Sequence, residues 1–437
     1  MEIRKIKKAS LQIKIIIFFL FALYTILPDY FRIFGVTSQV VVAFCIFFLY
    51  VINGGNFRIS KRGTIYILLY TVPMIITYLY NGDFFYIIKF VLERAFLIMI
   101  LYSTIKTREE FNSLIDILLK FAVLESISAY IHFVFNFNVF SIISNATDLS
   151  TLTADTQYRL GMVRVEGSFG HPITFAIYLS ICLWLCLYMY SQFSRVKYRI
   201  YYVMMCIALL LTIERLPLII FIASQIVYLL IQNPKKLRRI LTRVVVLIPI
   251  LLLLVFILPD QVMEVPKNIL NMVTGVFSSE SLMGISSYND ESAFSYRSAM
   301  LKVLPTQMEN HWLFGIGSQY NTSFSFYINN HVQHSIDNQY LYYFVVYGIF
   351  GLTESILWVI GITLVSKRYF SVKSTKKFQY YSRFIIFVYA LNLFSVAEMY
   401  EYKIVIVFMS LCLIDIRLNN ISSQTATNYK PLQEDQS

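Results

Sequence analysis

The feature that most limits this chain is how often it returns to apolar runs long enough to be membrane helices. Crossing the hydrocarbon core of a bilayer takes about 20 largely apolar residues. That rule places twelve spans, at roughly 15–31, 37–53, 64–80, 84–104, 114–136, 172–190, 200–213, 217–232, 244–258, 338–365, 384–396 and 403–416. The seventh and twelfth are short. Hydrophobic residues make up 57% of the 437 and charged residues only 14%, more apolar surface than a soluble domain can hide. The expected fold class is an all-α polytopic membrane protein of about twelve transmembrane helices.

A net charge of +12 would suit a nucleic-acid binder, but its placement says otherwise. Lys and Arg collect in short segments between apolar runs: FRISKRG, SRVKYR, NPKKLRR and SKRYFSVKSTKK. With the N-terminus inside, the cytoplasmic segments hold 26 Lys and Arg and the exterior segments 8, counting Lys403 at the edge of the twelfth span, with Lys89, Arg94 and Lys120 inside spans. That asymmetry predicts both termini in the cytoplasm. The opening MEIRKIKK lacks a small-residue cleavage signal and reads as a cytoplasmic tail before the first span. The five Cys all fall inside apolar runs, so neither a disulfide nor a metal site is expected. No Walker loop, GxGxxG, HExxH or exterior DxD motif is present, which argues against ATP, nucleotide-sugar and metal chemistry.

The chain divides into residues 1–258 with spans one to nine, an exterior loop at 259–337, spans ten to twelve at 338–416, and a polar tail at 417–437. A second exterior segment lies at 137–171. Loops this long are usually functional or disordered. The larger one carries Tyr296, Trp312 and the glycine pair of LFGIGSQY, so it should fold onto the membrane face, with short helices broken at Pro305 and a tight turn at Gly315 and Gly317.

Three Arg stand at the exterior boundary, against the charge rule: Arg164 in RVEGSFGHPITFA, Arg215 in LTIERLPLII and Arg297 in SYRSAMLKV. A planar, permanently charged guanidinium matches phosphate oxygens, and three converging ones would hold a pyrophosphate. Taken singly, each can instead snorkel to the interface or pair locally, as Arg215 with Glu214. That reading is weaker for Arg215, because Glu214-Arg215 sits between two closely spaced spans. Before the tenth span lies a polar cluster with His331, His334 and Asp337. His334 suits general-base work with Asp337 three residues on. The competing reading makes Asp337 or Asn338 the cap of the tenth span. His132 in the fifth span reads as a buried hydrogen-bonding residue, and Lys89, Glu93 and Arg94 as structural pairing.

In order, the chain shows Arg164-x-x-Gly167 with Phe169 and His171-Pro172, Arg215 at a span start, Arg297, Trp312 with Gly315-x-Gly317, and a polar cluster before a span with Gly348-x-x-Gly351. This architecture resembles the bacterial O-antigen polymerases and O-antigen ligases, polytopic enzymes with one large exterior loop late in the chain. Ligase-like members often show His-Asn at the start of that last helix. Here the matching pair is Asp337-Asn338, which favours polymerase and leaves the base as either His334 or Asp337.

The resemblance implies transfer of a sugar chain from a polyprenyl pyrophosphate to an acceptor hydroxyl outside the cytoplasmic membrane, with no cofactor. Arg164, Arg215 and Arg297 would hold the pyrophosphate, His334 or Asp337 would act as base, and Glu214, His171 and Tyr296 would support them. The partners implied are undecaprenyl-pyrophosphate-linked donor and acceptor, the bilayer, and chain-length regulator and flippase proteins. The sequence therefore reads as a polymerase of O-antigen or another surface polysaccharide. One rival is a ligase moving finished glycan to lipid A core or protein. The other is a transporter or flippase of lipid-linked sugars, disfavoured by the long exterior loop and the lack of related halves.

Overall fold

Local chemistry sets where the helices begin and turn. Thr107 and Glu110 form a reciprocal capping box at the start of α6 (Arg108–Phe135). His171 caps α7 (Pro172–Phe193), with proline at the first helical position, where its missing N–H costs nothing. Ser60 caps α3 (Lys61–Tyr80) by accepting from the Gly63 N–H. The remaining N-terminal elements are α1 (Glu2–Ile26), α2 (Ser38–Ile52), α4 (Phe84–Phe90) and α5 (Leu97–Thr104), with a π-helical turn at Val91–Phe96 joining the last two. Then follow α8 (Val196–Leu211), α9 (Arg215–Gln232), a short α10 at 300–307, α11 (Gln339–Val365), α12 (Phe378–Asn392) and α13 (Tyr402–Asn428).

The computed structural model describes residues 2–28, 31–33, 36–57, 59–143, 158–159, 162–232, 300–317, 324–328, 331–333, 336, 338–365, 374, 377–394 and 402–428. Among them the only sheets are two-stranded hairpins: Arg32–Ile33 with Val36–Thr37, Tyr158–Arg159 with Met162–Val163, and Phe326–Ile328 with His331–Gln333. The architecture is that of an all-α membrane protein. Among the described residues, α3, α7 and α9 are each long and apolar enough to cross a membrane, while Gln12–Ile26 and Ser38–Ile52 are shorter apolar stretches. The expected ninth span, 244–258, lies outside the described residues.

Burial separates the centre of the bundle from its rim. Within its apolar window α7 is 83% buried, against 22% for α9. Helix α7 runs antiparallel to α12: Trp184 stacks on Phe384 at 4.5 Å, and Tyr188 meets Phe378 edge-on at 5.3 Å. Tyr228 of α9 joins this aromatic layer 5.4 Å from Trp184. The order of these contacts brings the starts of α7 and α9 to the same end of the bundle as the end of α12.

Helix α11 is broken at Gly348, whose φ is +66°. A Cβ there would lie 2.3 Å from the Leu313 carbonyl carbon, so only glycine fits. The backbone groups released by the break are taken up by residues 312–316 of the loop before it. Ile349 N–H donates to Trp312 O at 2.8 Å, and Ile316 N–H donates to Val345 O at 2.8 Å. Gly315, at φ +73°, sits equally close to the backbone of Val346. The turn expected at Gly315 and Gly317 is therefore present, with left-handed φ at both. Helix breaks at membrane depth are tolerated where the freed groups find such partners. The helix break expected at Pro305 is absent: α10 runs through it to 307. The loop here has its own small core of Met300, Met308, Phe324, Ile336 and Val345. Gln307 accepts from the Ser325 N–H at 3.0 Å and ties α10 to the hairpin that follows.

Candidate functional site

The segment Arg164–His171 is clamped onto α6 and α8. Glu125 of α6, 1% exposed, accepts from the Ser168 N–H at 3.0 Å. Gly167 has φ +56°, and a Cβ there would lie 2.6 Å from a Glu125 oxygen, so a side chain would break the clamp. Asn138 donates to Glu166 at 2.9 Å and to Gly167 O at 3.1 Å. Val165 N–H donates to Leu211 O at the end of α8, 3.3 Å away.

That last bond delivers Arg164 to the turn between α8 and α9, where its guanidinium pairs with Glu214. Both side chains are largely buried, at 13% and 5% exposed. The turn is strained. Ile213 is buried, β-branched and held at φ +55°. Such a conformation costs of order 1–3 kcal/mol and concentrates at functional sites. Thr212 accepts from the Glu214 N–H at 3.4 Å across this turn. Glu214 then provides the carbonyl that accepts from Leu218 N–H, so Arg215 is the first residue of α9. A cation there opposes the helix dipole. It makes sense beside an anion, which two guanidinium groups and a helix N-terminus would attract together.

The neighbouring titratable groups shift accordingly. Burial pushes the Glu166 carboxyl above its ordinary pKa, partly offset by the Asn138 hydrogen bond and by Arg164. Burial, with Arg164 nearby, depresses the His171 imidazole to about 4. His171 Nδ1 accepts from the Ile173 N–H at 3.3 Å, which makes it the unprotonated nitrogen. His171 is thus a neutral cap at physiological pH, and its support of the site lies in fixing the start of α7.

The entrance to α11 reaches the same end of the bundle. Asn338 caps the helix by accepting from the Leu341 N–H at 3.1 Å. Gln339 N–H donates to Leu393 O at 2.9 Å, and Tyr340 donates to Ala390 O at 3.0 Å, both at the end of α12. Asn338 therefore takes the capping role left open between it and Asp337. Ile336, between His334 and Asp337 in sequence, is anchored in the loop core. His331 lies in the hairpin strand paired to Ile328. His334, Asp337, Arg297 and Tyr296 lie outside the described residues.

Residues 200–353 match the family model for O-antigen ligase (Wzy_C). That stretch is similar to the O-antigen ligase family. No curated protein matches the chain. The match covers Glu214, Arg215, Arg297, His334 and Asp337, while Arg164 and His171 precede it. The family region also contains the Gly315 and Gly348 contacts that fasten the loop to α11.

Sequence reasoning brought Arg164, Glu214 and Arg215 into view but did not foresee that Glu214 pairs with Arg164, a contact that joins the 137–171 segment to the turn between α8 and α9. Glu125, Asn138 and Glu166 were missed. For Glu125 the one available signal was a carboxylate inside an apolar helical run. In the fourth span, Arg94 pairs with Glu354 at 3.4 Å, a residue the reading had not singled out.

Proposed function

We propose that this protein is a membrane glycosyltransferase that polymerises polyprenyl-pyrophosphate-linked oligosaccharide repeat units into O-antigen or another surface polysaccharide. The observation that carries the reading is the buried Arg164–Glu214 pair beside Arg215, on a strained turn at the end of the bundle where α11 begins. The donor's anomeric carbon is already activated. An acceptor hydroxyl attacks it, the bond to the pyrophosphate oxygen breaks, and the electron pair leaves with the pyrophosphate. The acceptor proton passes to His334 or Asp337, and Arg164, Arg215 and Arg297 take up the charge developing on the leaving group. The catalytic face would be exterior, in a bacterial inner membrane with both termini cytoplasmic.

The description of the matched family favours a second reading, in which finished glycan is the donor and lipid A core or a protein is the acceptor. The same residues would serve it. Deleting the gene and running the surface polysaccharide on a gel separates the two. A single repeat unit without a ladder supports the polymerase, free polymer that is never attached supports the ligase, and an unchanged pattern sinks both. In purified protein, Arg215→Ala should abolish transfer, and Lys should rescue poorly because the guanidinium fork is lost.

A further inference from the structure

The far end of α6 leads to a second polar site. Its start at Arg108 and the Asn138–Glu166 contact beyond its end are separated by 28 helical residues, about 40 Å at 1.5 Å per residue. At the Arg108 end a cavity of about 510 Å³ opens between α1, α2, α5 and α13. Lys14, Lys106 and Arg417 line it, and among the described lining residues none is acidic.

Two of the three cations are held in place. Arg417 donates to the carbonyls of Tyr102 and Ile105 and lies 4.3 Å over the Tyr102 ring. Lys14 pairs with Glu110 at 2.6 Å. The floor holds the second observation. Ser103 and Thr104, the last two residues of α5, line the cavity and are 9% and 5% exposed, and their hydroxyls, buried in that lining, have no hydrogen-bond partner. Buried hydroxyls are ordinarily bonded. Two unpartnered hydroxyl donors beneath three cations match the oxygens of a phosphate group. Next to the lining residues Lys14 and Ile17 in sequence, Ile15, Ile16 and Phe19 of α1 present exposed apolar surface. Basic pockets between membrane helices with apolar flanks of this kind take anionic headgroups.

We propose that this cavity binds a phosphate anion at the membrane surface opposite the Arg164 site, its oxygens on Ser103 and Thr104 and its charge met by Lys14, Lys106 and Arg417. A phospholipid headgroup and a free phosphate share that chemistry, and the test separates them. Full-length protein is placed in nanodiscs of phosphatidylcholine with or without phosphatidylglycerol, and lipid retained on extraction is measured by native mass spectrometry. Inorganic phosphate binding is measured in parallel in detergent. The variants are Lys106→Ala, at an exposed position, and Ser103→Val, checked by its melting temperature. Retention of phosphatidylglycerol over phosphatidylcholine, weakened about fivefold by Lys106→Ala and also by Ser103→Val, supports the site with a lipid headgroup in it. Inorganic phosphate binding with the same dependence, and no lipid preference, supports the site with a free anion. Absence of both, or binding that the folded variants leave unchanged, overturns it.

Discussion

Arg164–Glu214 and Arg94–Glu354 are both buried arginine–glutamate pairs that join segments far apart in sequence, yet their surroundings differ. Arg94 is delivered by a π-helical turn, which re-aims a side chain out of the regular helical path. It rests 4.7 Å over Phe90, donates to the Tyr70 hydroxyl at 3.2 Å and meets Glu354 inside the bundle. That pair sits among aromatic side chains between helices. The Arg164 pair sits at the end of the bundle, on a turn with a left-handed isoleucine, with a further guanidinium next in sequence to its carboxylate. Burial of an ion pair is therefore a poor guide to function here. What distinguishes the Arg164 pair is the strained turn and a second arginine next in sequence to Glu214.

The strongest test replaces each pair by apolar residues of similar size. Arg164→Met with Glu214→Leu should fold but lose transfer by about 10²-fold or more, the cost of removing a preorganised charge partner. Arg94→Met with Glu354→Leu should retain both transfer and thermal stability, since such exchanges of buried pairs are often neutral. If the two double variants behave alike, the distinction between the pairs is gone. Breaking the inner pair on one side only is a different matter. Glu354→Ala should cost about 3–5 kcal/mol in a detergent melting assay, because Arg94 keeps its charge without its partner.

Gly348 stands between the entrance of α11 and Glu354, and so probes whether the two regions depend on each other. Gly348→Ala should cost about 1–3 kcal/mol from its backbone conformation alone, with the clash at Leu313 in addition. Limited proteolysis should then cut near residues 311–317 while the helices around Arg94 stay protected. Simultaneous loss of both would mean that the regions fold as one unit.

A smaller effect is expected at His171, which belongs to the outer pair's loop. The unfolded chain binds its proton near the ordinary histidine value of 6.5, whereas the folded chain does so only near 4. Between those values the unfolded state holds more protons, so His171 lowers stability as pH falls through that window. Melting temperatures at pH 7 and pH 5 should show the drop, and His171→Asn, which keeps the cap, should reduce it. The smallest effect is expected for Asn338→Ala, about 1 kcal/mol for a lost cap. A loss of transfer much larger than that would make the α11 entrance more than a helix start.

Helix positions were legible because apolar runs and caps are local: the expected span 37–53 is the helix Ser38–Ile52, and 172–190 begins where Pro172 begins. Arg164 and Arg215 stood out because a charge at the wrong membrane boundary is visible in one dimension. The partners of buried carboxylates were not legible. Glu125 meets Ser168 43 positions away and Glu354 meets Arg94 260 positions away, and no spacing rule reaches that far. The break at Gly348 was also hidden, because a glycine in an apolar run looks the same whether the helix continues or not.

The interlock at that break bears on how this chain could be recombined with its relatives. Trp312 and Val345 exchange backbone hydrogen bonds with Ile349 and Ile316, so a stretch of loop and a turn of helix form one ladder. The stretch 311–317 is thus not a detachable module. A graft of the corresponding loop from a similar protein should succeed only if 311–317 travels together with 345–350. Drift at either glycine would be constrained by the other, as with two teeth of a single zip.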